Sequence, residues 1–248
     1  MSQARIIAIV PARMGSTRLA NKVLAPVGER PMLERVIERL GRMHTLDGFI
    51  VATSVEKQDD AVAELCADHR WNCFRGPERD VLERTLRAAQ AMGASDIVSV
   101  AADSPLFSWQ EADRLVALHV ASGNDLTHNQ AIWGGGLPAG AGVEVLTMDA
   151  LGMAWTYGIE PRHREQVCEY LHERPERFRL GTLRAPPELD RPRYRLTVDT
   201  AADLRLVQRI QKLAAAGDDV VDLSAAVALL DEDPQLAACN AQSTRRAG

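Results

Sequence analysis

Residues 6–24 read IIAIVPARMGSTRLANKVL, an apolar run followed by a basic and polar loop. The run from Ile6 to Val10 is short and ends at Pro11, which is typical of a strand buried on both faces of a parallel sheet. Ligands of open α/β sheets bind outside the carboxyl ends of the strands. We therefore expect a ligand to bind beside the loop that begins at Ala12.

This loop combines three cations with a glycine and two hydroxyl side chains: Arg13, Gly15, Ser16, Thr17, Arg18 and Lys22. Glycine lets backbone N–H groups approach an anion, hydroxyl groups donate hydrogen bonds, and arginine and lysine supply the charge that phosphate oxygens need. The composition indicates a triphosphate cradle, and a solvated basic loop is the alternative that it leaves open. Neither the P-loop spacing nor G-x-G-x-x-G is present, which disfavours P-loop triphosphatases and dinucleotide-dependent dehydrogenases.

Apolar strands and amphipathic helices alternate along the chain. Helical spacing of apolar residues predicts helices over residues 31–43, 59–70, 81–92, 109–121, 148–157, 201–213 and 224–241. Short apolar runs predict further strands over residues 49–53, 71–75, 96–101 and 194–198. This alternation is typical of a doubly wound α/β fold, with a mostly parallel sheet and helices on both faces. No internal repeat appears, and we expect residues 1–248 to form one domain.

Two acidic residues directly follow predicted strands. Asp103 lies just past the strand over residues 96–101, and Asp199 follows the strand over residues 194–198. Because the carboxyl ends of parallel strands share one edge of a sheet, both carboxylates are expected near the Arg13 loop. From the residues alone, Asp103 is most often explained as a turn residue or helix cap, and Asp199 as the start of a helix.

The basic loop resembles the signature loop of a known enzyme family. The segments Pro11-Ala12-Arg13, GSTRL over residues 15–19 and KVL over residues 22–24 resemble the cytidylyltransferases that make CMP-activated sugar acids. These are the 3-deoxy-manno-octulosonate and acylneuraminate synthetases, and the resemblance is greatest to their spore-coat polysaccharide synthesis protein F relatives. Ala20-Asn21 replaces the usual Pro-Gly, a change that the loop is expected to tolerate. The resemblance implies a nucleotide-diphospho-sugar transferase-like fold.

The resemblance also implies roles for individual residues. The cradle would bind CTP through Ala12, Arg13, Gly15, Ser16, Thr17, Arg18 and Lys22. Arg75 and Gly76, in a segment similar to the family's second block, would approach the base, although a turn and a helix cap explain them as well. Asp103, in an Ala-Asp-Ser-Pro element similar to Gly-Asp-x-Pro, and Asp199, in a Val-Asp-Thr element, would hold the catalytic Mg²⁺.

Two positions depart from the family pattern. Gly142 stands where an Asp-Val-Glu-Val block usually begins, and Gln166 stands where Arg-Glu-His-Val has its histidine. Glutamine forms hydrogen bonds but does not change its charge near neutral pH. We therefore expect a small, hydroxylated and anionic acceptor other than the common 2-keto sugar acids. In the family, the segment matching residues 125–184 is an insertion that binds the acceptor and forms a homodimer.

Composition excludes several other classes of function. A net charge of −5 disfavours general nucleic-acid binding. The sequence contains no apolar stretch of membrane-spanning length and no signal-peptide pattern, so a cytoplasmic protein without a membrane partner is expected. The four cysteines and six histidines show no metal-ligand spacing.

The expected activity is transfer of CMP from CTP to an acceptor hydroxyl, with release of pyrophosphate. Two alternatives stay open. One is a nucleotide-binding relative that has lost catalysis, which Gly142 and Gln166 make conceivable. The other is a sugar-1-phosphate nucleotidyltransferase that uses UTP or GTP, although the usual G-x-G-x-R loop of that class is absent.

Overall fold

The computed structural model describes residues 4–16, 18–214 and 220–240. The strands in these ranges are β1 (Ile6–Pro11), β2 (Pro26–Val27), β3 (Arg30–Pro31), β4 (Gly48–Ser54), β5 (Cys73–Gly76), β6 (Asp96–Ser99), β7 (Leu126–His128), β8 (Glu144–Thr147) and β9 (Leu180–Thr182). The α-helices are α1 (Met32–Leu40), α2 (Asp60–Asp68), α3 (Val81–Ala91), α4 (Trp109–Ser122), α5 (Met148–Tyr157), α6 (Pro161–Glu165), α7 (Glu169–His172), α8 (Ala201–Ala214), α9 (Leu223–Glu232) and α10 (Pro234–Ala238). None of these helices is long and apolar enough to cross a membrane.

Seven strands form one sheet in the order β5-β4-β1-β6-β8-β7-β9. Strands β5, β4, β1 and β6 are parallel, β8 is antiparallel to both of its neighbours, and β7 is parallel to β9. Strands β2 and β3 form a separate two-stranded sheet. The predicted fold class, a doubly wound and mostly parallel α/β sheet, is confirmed.

The central strand β1 is buried on both faces, as its unbroken apolar run predicts. Ile6, Ala8 and Val10 belong to a core cluster that contains the buried faces of α1, α2 and α4. Ile7 and Ile9 belong to a second cluster, which contains the buried faces of α3 and α5. Side chains alternate along a strand, so β1 contributes to both layers of helices at once and positions the loop that follows it.

Residues 194–198 are not a strand of the main sheet, so that part of the prediction is wrong. The backbone of this segment bonds instead to Ala139, through Tyr194, Leu196 and Thr197, and to the carbonyl of Asp103, through the N–H of Val198 at 2.8 Å. Its alternating apolar residues are buried instead in a third core cluster, which also contains the inner faces of α8 and α9. The alternation therefore reflects burial against helices and not pairing within a sheet.

The predicted helix over residues 224–241 is also wrong as a single element. It is divided into α9 and α10, and its last residue, Ala241, lies outside the described ranges. The side chain of Asp233 accepts hydrogen bonds from the backbone N–H groups of Gln235 and Leu236 at 3.0 and 2.9 Å. Pro234 follows this cap in the first turn, where its missing N–H costs nothing. Asp233 and Pro234 thus begin a new helix.

Residues 125–184 are continuous with the main sheet. They supply β7, β8 and β9, and β8 pairs directly with β6. The same segment contains α5, α6 and α7. Its position places the loops around β8 beside the loops that follow β1 and β6.

Candidate active site

A cavity of about 810 Å³ opens beside the loops that follow β1 and β6. One half is lined by residues of these loops, and we call it the cradle half. Its lining contains most of the predicted phosphate-binding residues together with one of the two aspartates: Arg13, Gly15, Ser16, Arg18, Lys22 and Asp103. The other half, which we call the distal half, is lined by Gln130, Ala131, Ile132, Trp133, Gly142, Glu144, Arg162, Glu165, Gln166, Val167, Cys168, Glu169 and His172. Thr17 lies outside the described residues.

Lys22 forms the centre of the cradle half. Its Nζ donates hydrogen bonds to Asp103 Oδ2 at 2.6 Å, to Asp199 Oδ1 at 2.9 Å and to the carbonyl of Val198 at 2.9 Å. The residue is only 8% exposed. The structure therefore brings the two predicted metal-binding aspartates together around one buried ammonium group.

The preceding residue explains how the loop presents Lys22. Asn21 has a φ of 59°, in the left-handed region, and a 3-10 turn over Lys22–Leu24 follows it. Asparagine and glycine are the residues that adopt this conformation most readily. Asn21 can therefore adopt the backbone conformation that the loop needs at this position, where the resemblance leads us to expect a glycine.

Asp199 has two further cationic partners. Its Oδ1 lies 2.7 Å from Nη2 of Arg18, and its Oδ2 accepts a hydrogen bond from Nη2 of Arg195. Burial alone would raise the pKa of Asp199, but the hydrogen bond and charge of Lys22, together with Arg195 and Arg18, lower it below its ordinary value. The carboxylate is thus kept ionised and fixed.

A buried carboxylate, Asp203, holds the backbone on which Asp199 sits. Its Oδ2 accepts hydrogen bonds from the N–H groups of Asp199 and Thr200 at 3.1 and 2.9 Å. Its Oδ1 accepts from Nε of Arg195 at 3.2 Å and from Nδ2 of Asn240 at 2.8 Å. Asp203 is 1% exposed, so these charge-assisted bonds form away from water.

Another buried carboxylate, Asp59, positions the start of the cradle loop. Its Oδ1 accepts a hydrogen bond from the backbone N–H of Met14 at 2.6 Å, and its Oδ2 accepts from the hydroxyl of Ser54. The next residue, Gly15, packs so closely that a Cβ atom would lie 3.0 Å from Nε2 of Gln58. A side chain at position 15 would therefore force Gln58 to move.

Three predicted nucleotide-binding residues lie outside the cavity lining. Arg75 bonds to the carbonyls of Ser54 and Glu56 at 2.8 and 3.1 Å, and it forms an ion pair with Asp60 at 2.8 Å. Gly76 is buried against the side chains of Phe74 and Arg84. The backbone N–H of Ala12 donates a hydrogen bond to the carbonyl of Ala52 at 3.1 Å. Contact of these residues with a nucleotide stays a prediction.

The distal half contains a stacked aromatic and acidic group. Nε2 of His172 lies 2.8 Å from Oε1 of Glu144, and the ring of Trp133 stacks on His172 with centroids 3.9 Å apart. Burial raises the pKa of the Cys168 thiol, and the charge of Glu144 and its hydrogen bond with the thiol raise it further. Glu144 is therefore held by two neighbours inside the cavity.

The position of Gly142 leaves no room for the aspartate of related proteins. A Cβ atom at residue 142 would lie 2.7 Å from Oδ1 of Asn129. This same oxygen accepts a hydrogen bond from the N–H of Val143 at 2.8 Å, and Asn129 is fully buried. Asn129 thus occupies the space that a side chain at residue 142 would need.

Several residues of the site have contacts that no local spacing in the sequence predicts. Glu144 and His172 contact each other although they are 28 positions apart. Arg84 lines the cavity and is 1% exposed, with bonds to the carbonyls of Ala52 and Glu78 at 3.1 and 3.0 Å. On sequence alone, it is one more charged residue on an amphipathic helix.

Known proteins resemble this chain over nearly its whole length. The model of a family described as cytidylyltransferase matches residues 7–225. The uncharacterized protein MJ1063 of Methanocaldococcus jannaschii is 38% identical over 94% of this chain and 93% of its own length. The spore coat polysaccharide biosynthesis protein SpsF of Bacillus subtilis is 30% identical over 94% of this chain and 96% of its own length.

Solved structures give the same result. A cytidylyltransferase from Leptospira borgpetersenii superposes with a TM-score of 0.87 at 25% identity, over 95% of this chain and 97% of its own. A CMP:2-keto-3-deoxy-manno-octonic acid synthetase complexed with CTP shares the fold, with a TM-score of 0.61 at 14% identity over 84% of this chain and 99% of its own. The chain therefore belongs to the cytidylyltransferase family and is a CTP-dependent nucleotidyltransferase.

Proposed function

We propose that this protein transfers CMP from CTP to a hydroxyl group of a small acceptor and releases pyrophosphate. The observation that carries the proposal is the convergence of Lys22, Asp103 and Asp199 beside the Arg13 loop, where Asp103 and several cations line one half of a cavity and Asp199 contacts Lys22 just behind them. The other half leaves space for a second substrate beside the nucleotide.

The chemistry needs placement and charge neutralisation more than covalent help. The acceptor oxygen forms a bond to the α-phosphorus, and the bond from that phosphorus to the oxygen bridging to the β-phosphate breaks. Pyrophosphate leaves with the bonding electron pair, and the hydroxyl proton passes to water. Arg13, Arg18 and Lys22 would neutralise the phosphate oxygens and hold the triphosphate in line.

The donor set fits a divalent metal ion. Asp103 and Asp199 already direct oxygen atoms at one cation, the ammonium of Lys22. Across the described ranges, no three His, Cys, Asp or Glu side chains are grouped to hold a metal, so phosphate oxygens and waters would complete its coordination. This mixed oxygen set suits Mg²⁺. When bound, the ion would screen the triphosphate charge and stabilise the departing pyrophosphate.

The pathway and the acceptor remain proposals. The name of the Bacillus subtilis relative supports a role in polysaccharide synthesis. The resemblance supports a small hydroxylated acceptor, with an acid as the expected class. The absence of a membrane-length helix from the described ranges is consistent with the expected cytoplasmic location, which stays a prediction.

We also propose a homodimer formed through residues 125–184. Two apolar residues of this segment, Tyr157 and Ile159, are 53% and 81% exposed. Burial of such a surface by a second copy would remove it from water. Sedimentation of the wild type and of Ile159→Asp tests this: the wild type should sediment as a dimer and the variant as a monomer, and a monomeric wild type would contradict the proposal.

A nucleotide panel tests the proposed reaction. CTP, UTP, GTP and ATP are compared for binding and for pyrophosphate release with mixed acceptors, in Mg²⁺ and in EDTA. We expect release with CTP and Mg²⁺ alone. Release with UTP or GTP would favour a sugar-1-phosphate transferase, and tight CTP binding with no release for any acceptor would favour a binding protein.

A further inference from the structure

One imidazole, that of His172, belongs to the part of the cavity lining that the structure describes. Attack of an acceptor hydroxyl on phosphorus releases a proton, and a side chain that takes up this proton typically accelerates such a reaction by about 10²–10⁴-fold. Histidine is the side chain best suited to this task near neutral pH. The thiol of Cys168 does not compete, because burial and then the charge of Glu144 raise its pKa. His172 is therefore the candidate for a general base.

Glu144 fixes one edge of the His172 ring. Nε2 of His172 lies 2.8 Å from Oε1 of Glu144. Because a carboxylate only accepts hydrogen bonds, Nε2 carries the proton of the neutral ring, and Nδ1 is left with a lone pair. A proton that arrives at Nδ1 makes the ring positive, and the nearby carboxylate stabilises this charge. The pair thus has the arrangement of a base and its orienting acid.

Nδ1 of His172 is available to a ligand. Within the described ranges it forms no hydrogen bond, and it is not sealed in the interior as the unpartnered Nδ1 of His128 is. The side chain of His172 is 4% exposed and lines the cavity, so this small opening faces the cavity. Trp133 stacks on the ring with centroids 3.9 Å apart, which holds the ring in place and leaves its edge for contact with a ligand.

The groups around His172 favour a positive charge on its ring. Glu144 approaches from β8 and His128 from β7, with the two histidine centroids 5.3 Å apart. Burial, and then the charge of His172, lowers the pKa of His128 to about 4, so His128 is neutral when His172 takes up a proton. The further ionisable groups of the distal half are Arg162, Glu165, Cys168 and Glu169. Carboxylates outnumber guanidinium groups among them, which also favours a protonated ring.

The pair of Glu144 and His172 lies beside the strand that leads to Asp103. Strand β8 is antiparallel to β6, and Glu144 at the start of β8 pairs with Ser99 at the end of β6. Asp103 follows Ser99 by four residues, a separation of at most about 13 Å. Ser99, Asp103 and Glu144 all line the same cavity. An acceptor between the pair and a triphosphate bound near Asp103 would therefore present its hydroxyl group to both.

We propose that His172 is the general base of the reaction and that Glu144 is its positioning residue. This inference rests on the proposed CMP transfer. The O–H bond of the acceptor breaks as its oxygen bonds to the α-phosphorus, and the proton moves to Nδ1 of His172. The electron pair of the O–H bond stays on the acceptor oxygen, and pyrophosphate leaves with the pair of the broken P–O bond. His172 then passes the proton to water, which completes the cycle.

Replacement of the imidazole tests the proposal. Full-length enzyme with CTP and Mg²⁺ is given glycerol, ribitol, gluconate, 3-deoxy-manno-octulosonate or water alone, and pyrophosphate release is measured. His172→Gln keeps a partner for Glu144 but cannot take up a proton. With the fastest of these acceptors, its kcat should be lower by about 100-fold or more, with a nearly unchanged KM for CTP. His172→Phe preserves the stacking on Trp133 and should show the same loss, so that a folding defect of one variant does not decide the result.

His119→Gln is the matched control. His119 is also buried, and its Nε2 lies 3.3 Å from a carboxylate oxygen of Asp96, but it lies outside the cavity lining. It should keep the kcat of the wild type. Urea unfolding of all variants shows whether any loss of kcat follows a loss of stability, and an equal loss of kcat in His119→Gln and His172→Gln would overturn the proposal.

The role of Glu144 is tested by a double variant. Glu144→Gln leaves the imidazole in place but removes the charge beside it, and its kcat should fall by about tenfold. Glu144→Gln with His172→Gln should be no slower than His172→Gln alone, because Glu144 acts through His172. Losses that multiply in the double variant would overturn the positioning role.

The pH profile gives a readout that a structural role would not change. A base works in its unprotonated form, so the wild-type kcat should decline as the pH is lowered from 8 to 5, the range in which histidine side chains take up protons. His172→Gln should lack this decline, and titrations of CTP and of other side chains cancel in the ratio of the two rates.

The outcomes separate the two proposals. Wild-type kcat in His172→Gln, or a ratio of the two rates that stays constant with pH, overturns the general base and leaves CMP transfer intact. No release of pyrophosphate by the wild type with any of the acceptors or with water contradicts CMP transfer itself, and the general base with it.

Discussion

Nζ of Lys22 lies 2.6 Å from Oδ2 of Asp103, although the two residues are 81 positions apart. They meet because β1 and β6 are parallel neighbours, so the loops after both strands leave the same edge of the sheet. Most of Lys22 is buried, and its ammonium group also contacts Asp199. Lys22 therefore has a structural role as well as its expected role toward phosphate.

Lys22→Met should lose both stability and activity. The change leaves Asp103 and Asp199 without their shared ammonium, and we expect the free energy of unfolding to fall by about 2 kcal/mol. The KM for CTP should rise, because a phosphate partner is lost as well. Urea denaturation and initial rates at limiting CTP measure the two effects.

Arg18→Ala provides the matched comparison. The Arg18 side chain is 59% exposed, so its loss should leave the unfolding curve nearly unchanged while the use of limiting CTP declines. If Lys22→Met were as stable as Arg18→Ala, the shared ammonium would not stabilise the fold. If both kept wild-type rates, the cradle assignment would be wrong.

The two aspartates should be indispensable for turnover. Asp103→Asn and Asp199→Asn preserve shape but remove one negative charge each, and a divalent ion binds an amide much more weakly than a carboxylate. We expect both variants to remain folded and to lose nearly all turnover, and EDTA to do the same to the wild type. Pyrophosphate release followed with and without added Mg²⁺ is the measurement. Full activity in EDTA would remove the case for a metal-dependent reaction.

Local sequence patterns predict the part of the fold that forms from adjacent strands and helices. Strands β1, β4 and β6 and their helices lie close to their predicted positions, because each buries an apolar face set by its own periodicity. Strand β8 is harder to place. It is four residues long, and its antiparallel position between β6 and β7 depends on pairings with distant segments.

Asp199 shows how a predicted position can have a different physical cause. The strand expected before it does not join the sheet, yet the carboxylate still meets Lys22. Asp203 and Arg195 hold it there through a network of side chains. These partners lie within eight positions of one another, whereas the contact of Asp199 with Lys22, like the pair of Glu144 and His172, depends on tertiary packing that no local pattern in the sequence encodes.

Gly142→Asp, which introduces the aspartate usual in related proteins, should destabilise this chain. The new Cβ would lie 2.7 Å from the buried Oδ1 of Asn129 and would disturb its hydrogen bond with the N–H of Val143. We expect a loss of about 1–3 kcal/mol, as for other overpacked interiors. The double variant Gly142→Asp with Asn129→Gly should recover part of the loss, because it frees the space. Equal urea midpoints for Gly142→Asp and the wild type would contradict the packing argument.

His128 should make the protein less stable in mild acid. Its pKa is lowered from the ordinary 6.5 to about 4, mainly by burial and then by the charge of His172, with Glu144 opposing the shift. Between these two pH values the unfolded chain binds the proton and the folded chain does not, so stability falls as the pH decreases from 6.5 to 4. Once the pH is below both pKa values, His128 would have lowered the free energy of unfolding by about 3 kcal/mol relative to neutral pH.

His128→Phe isolates this effect, because a phenyl ring cannot titrate, although it also gives up the contact of Nε2 with the Thr182 hydroxyl at 3.1 Å at every pH. Urea unfolding of both proteins at several pH values between 7 and 4 should give curves that diverge below pH ~6.5, with the wild type losing more stability. Other titrating groups are common to both proteins and cancel in the difference. His44→Gln, at an exposed histidine, is the control and should follow the wild type. Parallel curves for the wild type and His128→Phe would show that His128 titrates alike in the folded and unfolded chain, so that its burial does not contribute to acid sensitivity.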